Sequence, residues 1–274
     1  MDSILAETRT EIASILGGDL AAITVRRAVI GVYFTAVFLS AGTAGVCATP
    51  AKTAIHPACC PTTDDTVLPP GTLAGRPALS LLDELESPHP LRRVIGIATL
   101  NALSEACWRR HPDPAAILEV NIDAFDAAAI APGEHVVLVG AFIPFLKALK
   151  QRRQSYTVLE LTPAMLKAEE LPHFRPASEA ADVLPKGDVV LLTGATLLDD
   201  ALENLLAHTR PGARVVVVGP TVGMLPGSLF RRNVSIAGGV RVTNPDSLLG
   251  VLAEGGSGQH FFGHSAERVV LRRA

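Results

Sequence analysis

Four short segments of this chain bring together the residue types that hold a small polar ligand at the end of a β-strand: Gly140-Ala141-Phe142, Glu160, Thr193-Gly194-Ala195-Thr196 and Gly219-Pro220-Thr221. Each follows a run of aliphatic residues. Glycine at such a point lets backbone N–H groups come close to an anion or a ring, and an acid at the end of the second strand is where many sheets hold a ribose diol. The candidate ligand-binding residues are therefore Gly140, Phe142, Glu160, Thr193, Gly194, Thr196, Gly219, Pro220 and Thr221. The first loop lacks the glycine spacing of a pyrophosphate cradle, and Pro144 removes a donor near the start of the following helix, which argues against an ordinary NAD or FAD site. Thr193 and Thr196, followed by Asp199-Asp200, serve equally well as helix caps. Glu160 also reads as a solvated strand-end acid. The punctuated stretch from Gly219 to Gly227 predicts a stiff, shaped loop.

A second constellation lies earlier. Cys47, His56, Cys59 and Cys60 fall within fourteen residues, and thiolate with imidazole is the donor set that zinc and copper prefer. Adjacent Cys59 and Cys60 make joint chelation of one tetrahedral ion awkward, and no Cys-x-x-Cys pair occurs. Cys107 sits in an apolar helical setting and reads as core. No Ser, His and acid share nucleophile-elbow spacing, and no His-Glu-x-x-His occurs, so hydrolase chemistry finds little support.

The elements that must position these residues follow from composition and pattern. The chain has 274 residues, 48% of them hydrophobic, with 27 acidic against 24 basic residues and a net charge of -3. Such a chain can bury a large core. It carries no basic stripe for nucleic acid or anionic lipid, and no apolar run of the roughly 18–20 residues needed to span a bilayer. The stretch from Ala28 to Ala48 is interrupted by Gly31, Gly42 and Gly45 and reads as strands. The opening Met1-Asp2-Ser3-Ile4 lacks a signal-peptide pattern, so a cytoplasmic protein with cysteines as thiols is expected.

Along the chain the pattern predicts a helix over 2–16, strands within 22–39 and 46–49, a long Pro/Thr/Gly loop over 50–75, and helices near 79–86 and 90–110. A connecting link follows at 113–130. Strands then fall at 135–139, 156–161, 188–193, 213–218 and 234–237, with a terminal edge strand at 268–271. Four of these are too uniformly apolar to have a wet face, which calls for helices on both sides of a mostly parallel sheet. The expected fold class is α/β: a smaller α+β domain at 1–112, the link at 113–130, and a Rossmann-like, mostly parallel sheet domain at 131–274.

The motifs Val139-Gly140, Leu159-Glu160-Leu161-Thr162-Pro163, Leu184-Pro185, Thr193-Gly194-Ala195-Thr196 and Val218-Gly219-Pro220-Thr221 resemble an uncharacterised two-domain family. Its C-terminal domain is named for heavy-metal chelation, and its N-terminal domain looks like that of enolase. Gly71-Thr72-Leu73-Ala74-Gly75 followed by Gly96-Ile97-Ala98-Thr99-Leu100-Asn101-Ala102 is similar to the family's N-terminal signature. The chain departs from it at Ala141, where relatives place a histidine, and at Val222-Gly223-Met224. The resemblance implies an enolase N-terminal-like first domain, a Rossmann-like second domain and a cleft between them. It also implies a small ligand, a transition metal or a metal complex among them, bound at the C-terminal strand ends. The alternative is a transferase or processing enzyme using an adenosine-containing cofactor such as S-adenosylmethionine. Turnover is left open. A homo-oligomer is expected on general grounds, with no nucleic-acid or membrane partner.

Overall fold

The computed structural model describes residues 2–50 and 68–274. Ser3 opens the first helix, α1 (Ile4–Leu16), by accepting from the Ala6 amide, and Gly17 with φ 54° ends it. Three strands follow, β1 (Val25–Ile30), β2 (Phe34–Leu39) and β3 (Ala44–Ala48), paired in order as a small antiparallel sheet. Helix α2 (Ala78–Leu82) leads into α3 (Pro90–Arg110). Pro90 suits the first turn because its missing N–H would lack a helical partner there in any case. Arg109 and Arg110 face the negative C-terminal end. Every residue from Arg93 to Ser104 is buried, so α3 is enclosed all round rather than amphipathic.

The remainder forms one eight-stranded sheet in the order β4-β11-β10-β9-β8-β5-β6-β7. Its strands are β4 (Ala116–Val120), β5 (His135–Val139), β6 (Ser155–Glu160), β7 (Phe174–Pro176), β8 (Val189–Thr193), β9 (Arg214–Val218), β10 (Val234–Val242) and β11 (Ala266–Arg273). The six strands from β7 to β10 across this order are parallel, while β11 and β4 run antiparallel at one side. Helices α4 (Ala124–Ala127), α5 (Ile143–Gln151), α6 (Ala180–Val183), α7 (Ala201–Ala207), α8 (Gly227–Arg231), α9 (Pro245–Ala253) and α10 (Gly258–Phe261) fill the connections. The α/β class read from the apolar runs is the class of the molecule: a smaller unit with an antiparallel sheet beside a larger Rossmann-like one.

Alternation divides the large sheet cleanly. Val136, Leu138, Val158, Leu191 and Val216 pack with Phe125, Phe145 and Leu149 on one face. Val137, Val139, Leu159, Leu192 and Val217 face the opposite way, into a core shared with Ile4, Ile12, Ile97 and Leu100 of the N-terminal helices. Each such aliphatic side chain contributes about 1.5–3 kcal/mol when fully buried, so the two sheets are joined through one continuous apolar core. The outer face of the small sheet is covered from the C-terminal side: Phe38, Ala44 and Val46 pack with Leu248, Leu249, Leu252 and Phe261.

Three expectations need correction. The 268–271 strand is interior, because β4 pairs along its far side from Ala116 to Val120; the link read at 113–130 thus carries a strand and α4. The strand read at 234–237 runs on to Val242, held by β11. The third parallel strand, β7, went unread because three residues show no periodicity. Among the described residues no helix is long and apolar enough to cross a membrane.

Candidate ligand pocket at the strand ends

The order of the large sheet reverses between β5 and β8: β6 and β7 continue to one side, β9 and β10 to the other. Loops leaving two such neighbours diverge, and the gap between them is where open α/β sheets take ligands. Gly140 leaves β5 with φ 92°, a left-handed conformation, and a Cβ there would stand 3.1 Å from Thr193 Cγ2. The carboxylate of Glu160, half-buried at the end of β6, ties the loops together. Its Oε2 accepts from the Ala141 amide at 2.9 Å and its Oε1 from the Leu161 amide at 2.7 Å. On the β8 side, Thr193 Oγ1 accepts from Ala195 N at 3.2 Å, and Thr196 Oγ1 donates to Thr193 O at 2.6 Å.

Between these loops lies a cavity of about 480 Å³, within the roughly 300–1,000 Å³ usual for small-molecule sites. Its floor is Gly140, Ala141 and Thr193; Phe142 makes one wall, and Ala177, Ala180, Asn204 and Leu205 close the other sides. Phe142 is held by stacking on Phe145, centroids 5.0 Å apart. Leu161 stands at the lip, 83% exposed. The structure thus brings Gly140, Phe142, Glu160, Thr193 and Thr196 around one space. Gly194 lies just behind it, buried so tightly that a Cβ would meet Val222 Cγ2 at 2.2 Å. Asn204 was not read from the sequence; the signal is the spacing Ala201, Asn204, Leu205, which places all three on one face of α7.

The loop after β9 goes elsewhere. Gly219 (φ 136°) donates to Gly238 O at 2.9 Å, and Gly219 with Pro220 borders a smaller cavity of about 220 Å³ beyond Phe142. Thr221 is 1% exposed and faces the small sheet: its Oγ1 accepts from Ala48 N at 3.1 Å and lies 3.9 Å from Cys47 Sγ. Asn101 of α3 closes this junction by donating to Val46 O at 2.8 Å and Thr221 O at 3.0 Å. Thr221 therefore joins the two units instead of lining the pocket. Among the described residues, those lining the pocket all come from Val139 onward, so the expected interdomain cleft is not where this cavity lies.

Of the cysteine constellation, only Cys47 falls within the described residues; His56, Cys59 and Cys60 lie outside them. Cys47 is buried and burial pushes its thiol up to about 12, which keeps it protonated and a poor metal ligand at neutral pH. Cys107 is likewise pushed up to about 12 by burial. Among the described residues no group of three or more His, Cys, Asp or Glu side chains is placed to hold a metal ion. The oxygens around the pocket are donors for hard cations rather than soft ones.

Residues 123–271 match the DUF364 family, whose description reads "Putative heavy-metal chelation", and residues 14–104 match DUF4213, which carries the same description. An uncharacterized protein of Methanocaldococcus jannaschii is 29% identical over 144 residues, 52% of this chain and 51% of that relative, so the chain spans about half the length of the curated relative it matches. Two solved structures of DUF364 proteins of unknown function share the architecture. One, from Pyrococcus horikoshii, has a TM-score of 0.75 at 18% identity, covering 97% of this chain and 98% of that one. The other, from Desulfitobacterium hafniense, has a TM-score of 0.71 at 19% identity, covering 98% and 100%.

Proposed function

This chain belongs to the DUF364 family, its first domain matching DUF4213, and from that premise we propose that it binds a small amphipathic molecule in the strand-end pocket. A heavy metal reaches this protein as a complex with such a molecule, not as a bare ion on pocket thiolates. The observation that carries this reading is the cavity at the point where strand order reverses, walled by apolar side chains and carrying one fixed carboxylate, Glu160. Two of that carboxylate's acceptor sites hold the loops in place, and the rest remain for a ligand hydroxyl or amine. In the same reading, the first domain is enolase-like and ends near residue 112, and the protein is a homo-oligomer.

A second reading is a transferase using an adenosine-containing cofactor such as S-adenosylmethionine. It is favoured by the position of Glu160 at the end of the second parallel strand, where a ribose diol fits. Isothermal titration with adenosine and, separately, with zinc or copper salts tests both, together with elemental analysis of protein purified without chelator. Saturable adenosine binding that falls about tenfold in Glu160→Gln, the loss of one charge-assisted hydrogen bond, supports the pocket. Tight stoichiometric metal binding that survives Glu160→Gln, with no adenosine binding, overturns it in favour of a site elsewhere on the chain.

A further inference from the structure

The charge of the pocket narrows its ligand further. None of the residues lining it is Lys, Arg or His, while Glu160 and Asp199 are both acids. Nearby guanidinium groups are engaged elsewhere: Arg93 donates to Asp200 and to Leu197 O, and Arg175 faces Glu179 at 3.8 Å. Glu160 is half-buried, while Asp199 is exposed at the rim with its Oδ1 accepting from Ala201 N at 3.3 Å; a pocket lined by acids and by no basic side chain favours a cation over an anion.

Hydrogen-bond direction says the same independently. In related sheets an anion is held by the backbone amides of the loops after the strands and at the next helix start. Here five of those amides are already engaged: Gly140 N donates to Leu159 O, Ala141 N and Leu161 N to Glu160, Phe142 N to Gly140 O, and Ala195 N to Thr193 Oγ1. Pro144, in the first turn of α5, has no N–H to offer. The oxygens left over are mainly acceptors. Glu160 keeps unused lone pairs, and Thr196, having given its proton to Thr193 O, presents only acceptor capacity.

We infer that the ligand of this pocket is a phosphate-free organic cation with an apolar or planar body, donating hydrogen bonds from an amine, a hydroxyl pair or both. The apolar body lies against Phe142, Leu161 and Leu205 while the charge faces Glu160 and Asp199. The same arrangement disfavours nucleotides and other phosphate esters, whose charge would face Glu160 and Asp199. This inference rests on the pocket reading above and sharpens it.

A matched series separates the two. 5′-Amino-5′-deoxyadenosine, adenosine and adenosine 5′-monophosphate share one body and differ in charge at one position. The expected order of affinity is amine, then nucleoside, then monophosphate, each step about fivefold or more, as one screened charge pair permits. Raising sodium chloride from about 50 to 500 mM weakens the amine and leaves adenosine nearly unchanged. In Asp199→Asn the preference for the amine over adenosine shrinks while adenosine itself still binds, with circular dichroism confirming that the variant is folded. Equal affinities across the series, or tightest binding of the monophosphate, overturn the charge inference and leave the pocket reading standing. Failure of all three to bind overturns the pocket reading and this inference with it.

Discussion

The loops after β8 and β9 start from similar material: a buried aliphatic strand, then a glycine with a threonine within two residues of it. They end as opposites. Thr193 stays half-exposed at the floor of an open cavity, whereas Thr221, 1% exposed, is locked against the small sheet by Ala48 and Asn101. The difference lies in what covers them. Helix α3 and strand β3 close over the β9 loop and satisfy its polar groups with the Asn101 side chain and the Ala48 amide; on the β8 side Arg93 of α3 reaches Leu197 O and Asp200, but none of the described residues of the N-terminal unit lines the cavity. One loop became a joint and its neighbour a pocket, and a strand-end motif therefore marks a place where a site can form without deciding that it does.

The strongest way to break this comparison is at the joint. In Asn101→Leu, the carbonyls of Val46 and Thr221 lose their shared donor while staying buried, and each buried unsatisfied group costs about 1–3 kcal/mol. Chemical denaturation is expected to show a loss of about 3 kcal/mol. A smaller effect sharpens the contrast. Thr221→Val strands the Ala48 amide and is expected to cost about 1–2 kcal/mol with adenosine affinity unchanged. Thr193→Val removes a cap worth about 1 kcal/mol and lowers that affinity several-fold. If both substitutions affect binding equally, the distinction between joint and pocket is lost.

The smallest expected effect is acid dependence. Glu7 of α1 is paired with Arg231, the last residue of α8, and with Arg232 just after it, at 2.8 Å each. The Arg232 hydrogen bond, opposed by partial burial and reinforced by Arg231, holds the Glu7 carboxyl down at about 2. A carboxylate depressed by folding adds stability above its ordinary range near pH 4.5, and that stability is lost as pH falls toward about 2. The denaturation midpoint of the wild-type protein should therefore decline more steeply across this window than that of Glu7→Gln, with the pocket unaffected.

Much of the fold was legible because its signals are local. Continuous runs such as Val136-Val137-Leu138-Val139 and Val215-Val216-Val217 require cover on both faces, and Pro90 with Arg109-Arg110 bounds α3 at both ends. Glu160 and Thr193 could be named as neighbours because parallel strands with right-handed crossovers bring their ends to one edge. Strand β4 was missed since its five residues alternate weakly and sit among prolines, and its place depends on the free side of β11, far along the chain. Asp199 was read only as an acid at the next helix start, and Asn204 was missed because its approach to the pocket depends on how α7 packs. The cysteine cluster could not be followed beyond Cys47, whose burial makes it core.

The sequence by itself determined the class of fold, the direction of the strands and the edge on which a ligand can sit, because each follows from periodicity and chain connectivity over a few tens of residues. Only the tertiary structure decided which strand-end loop stays open, that the threonine of one is a joint, and that the Gly140 and Ala141 amides after β5 are engaged by Leu159 O and Glu160 of β6. Those outcomes depend on which backbone from a distant part of the chain arrives to accept or donate each hydrogen bond, and no local pattern of residues encodes that arrival.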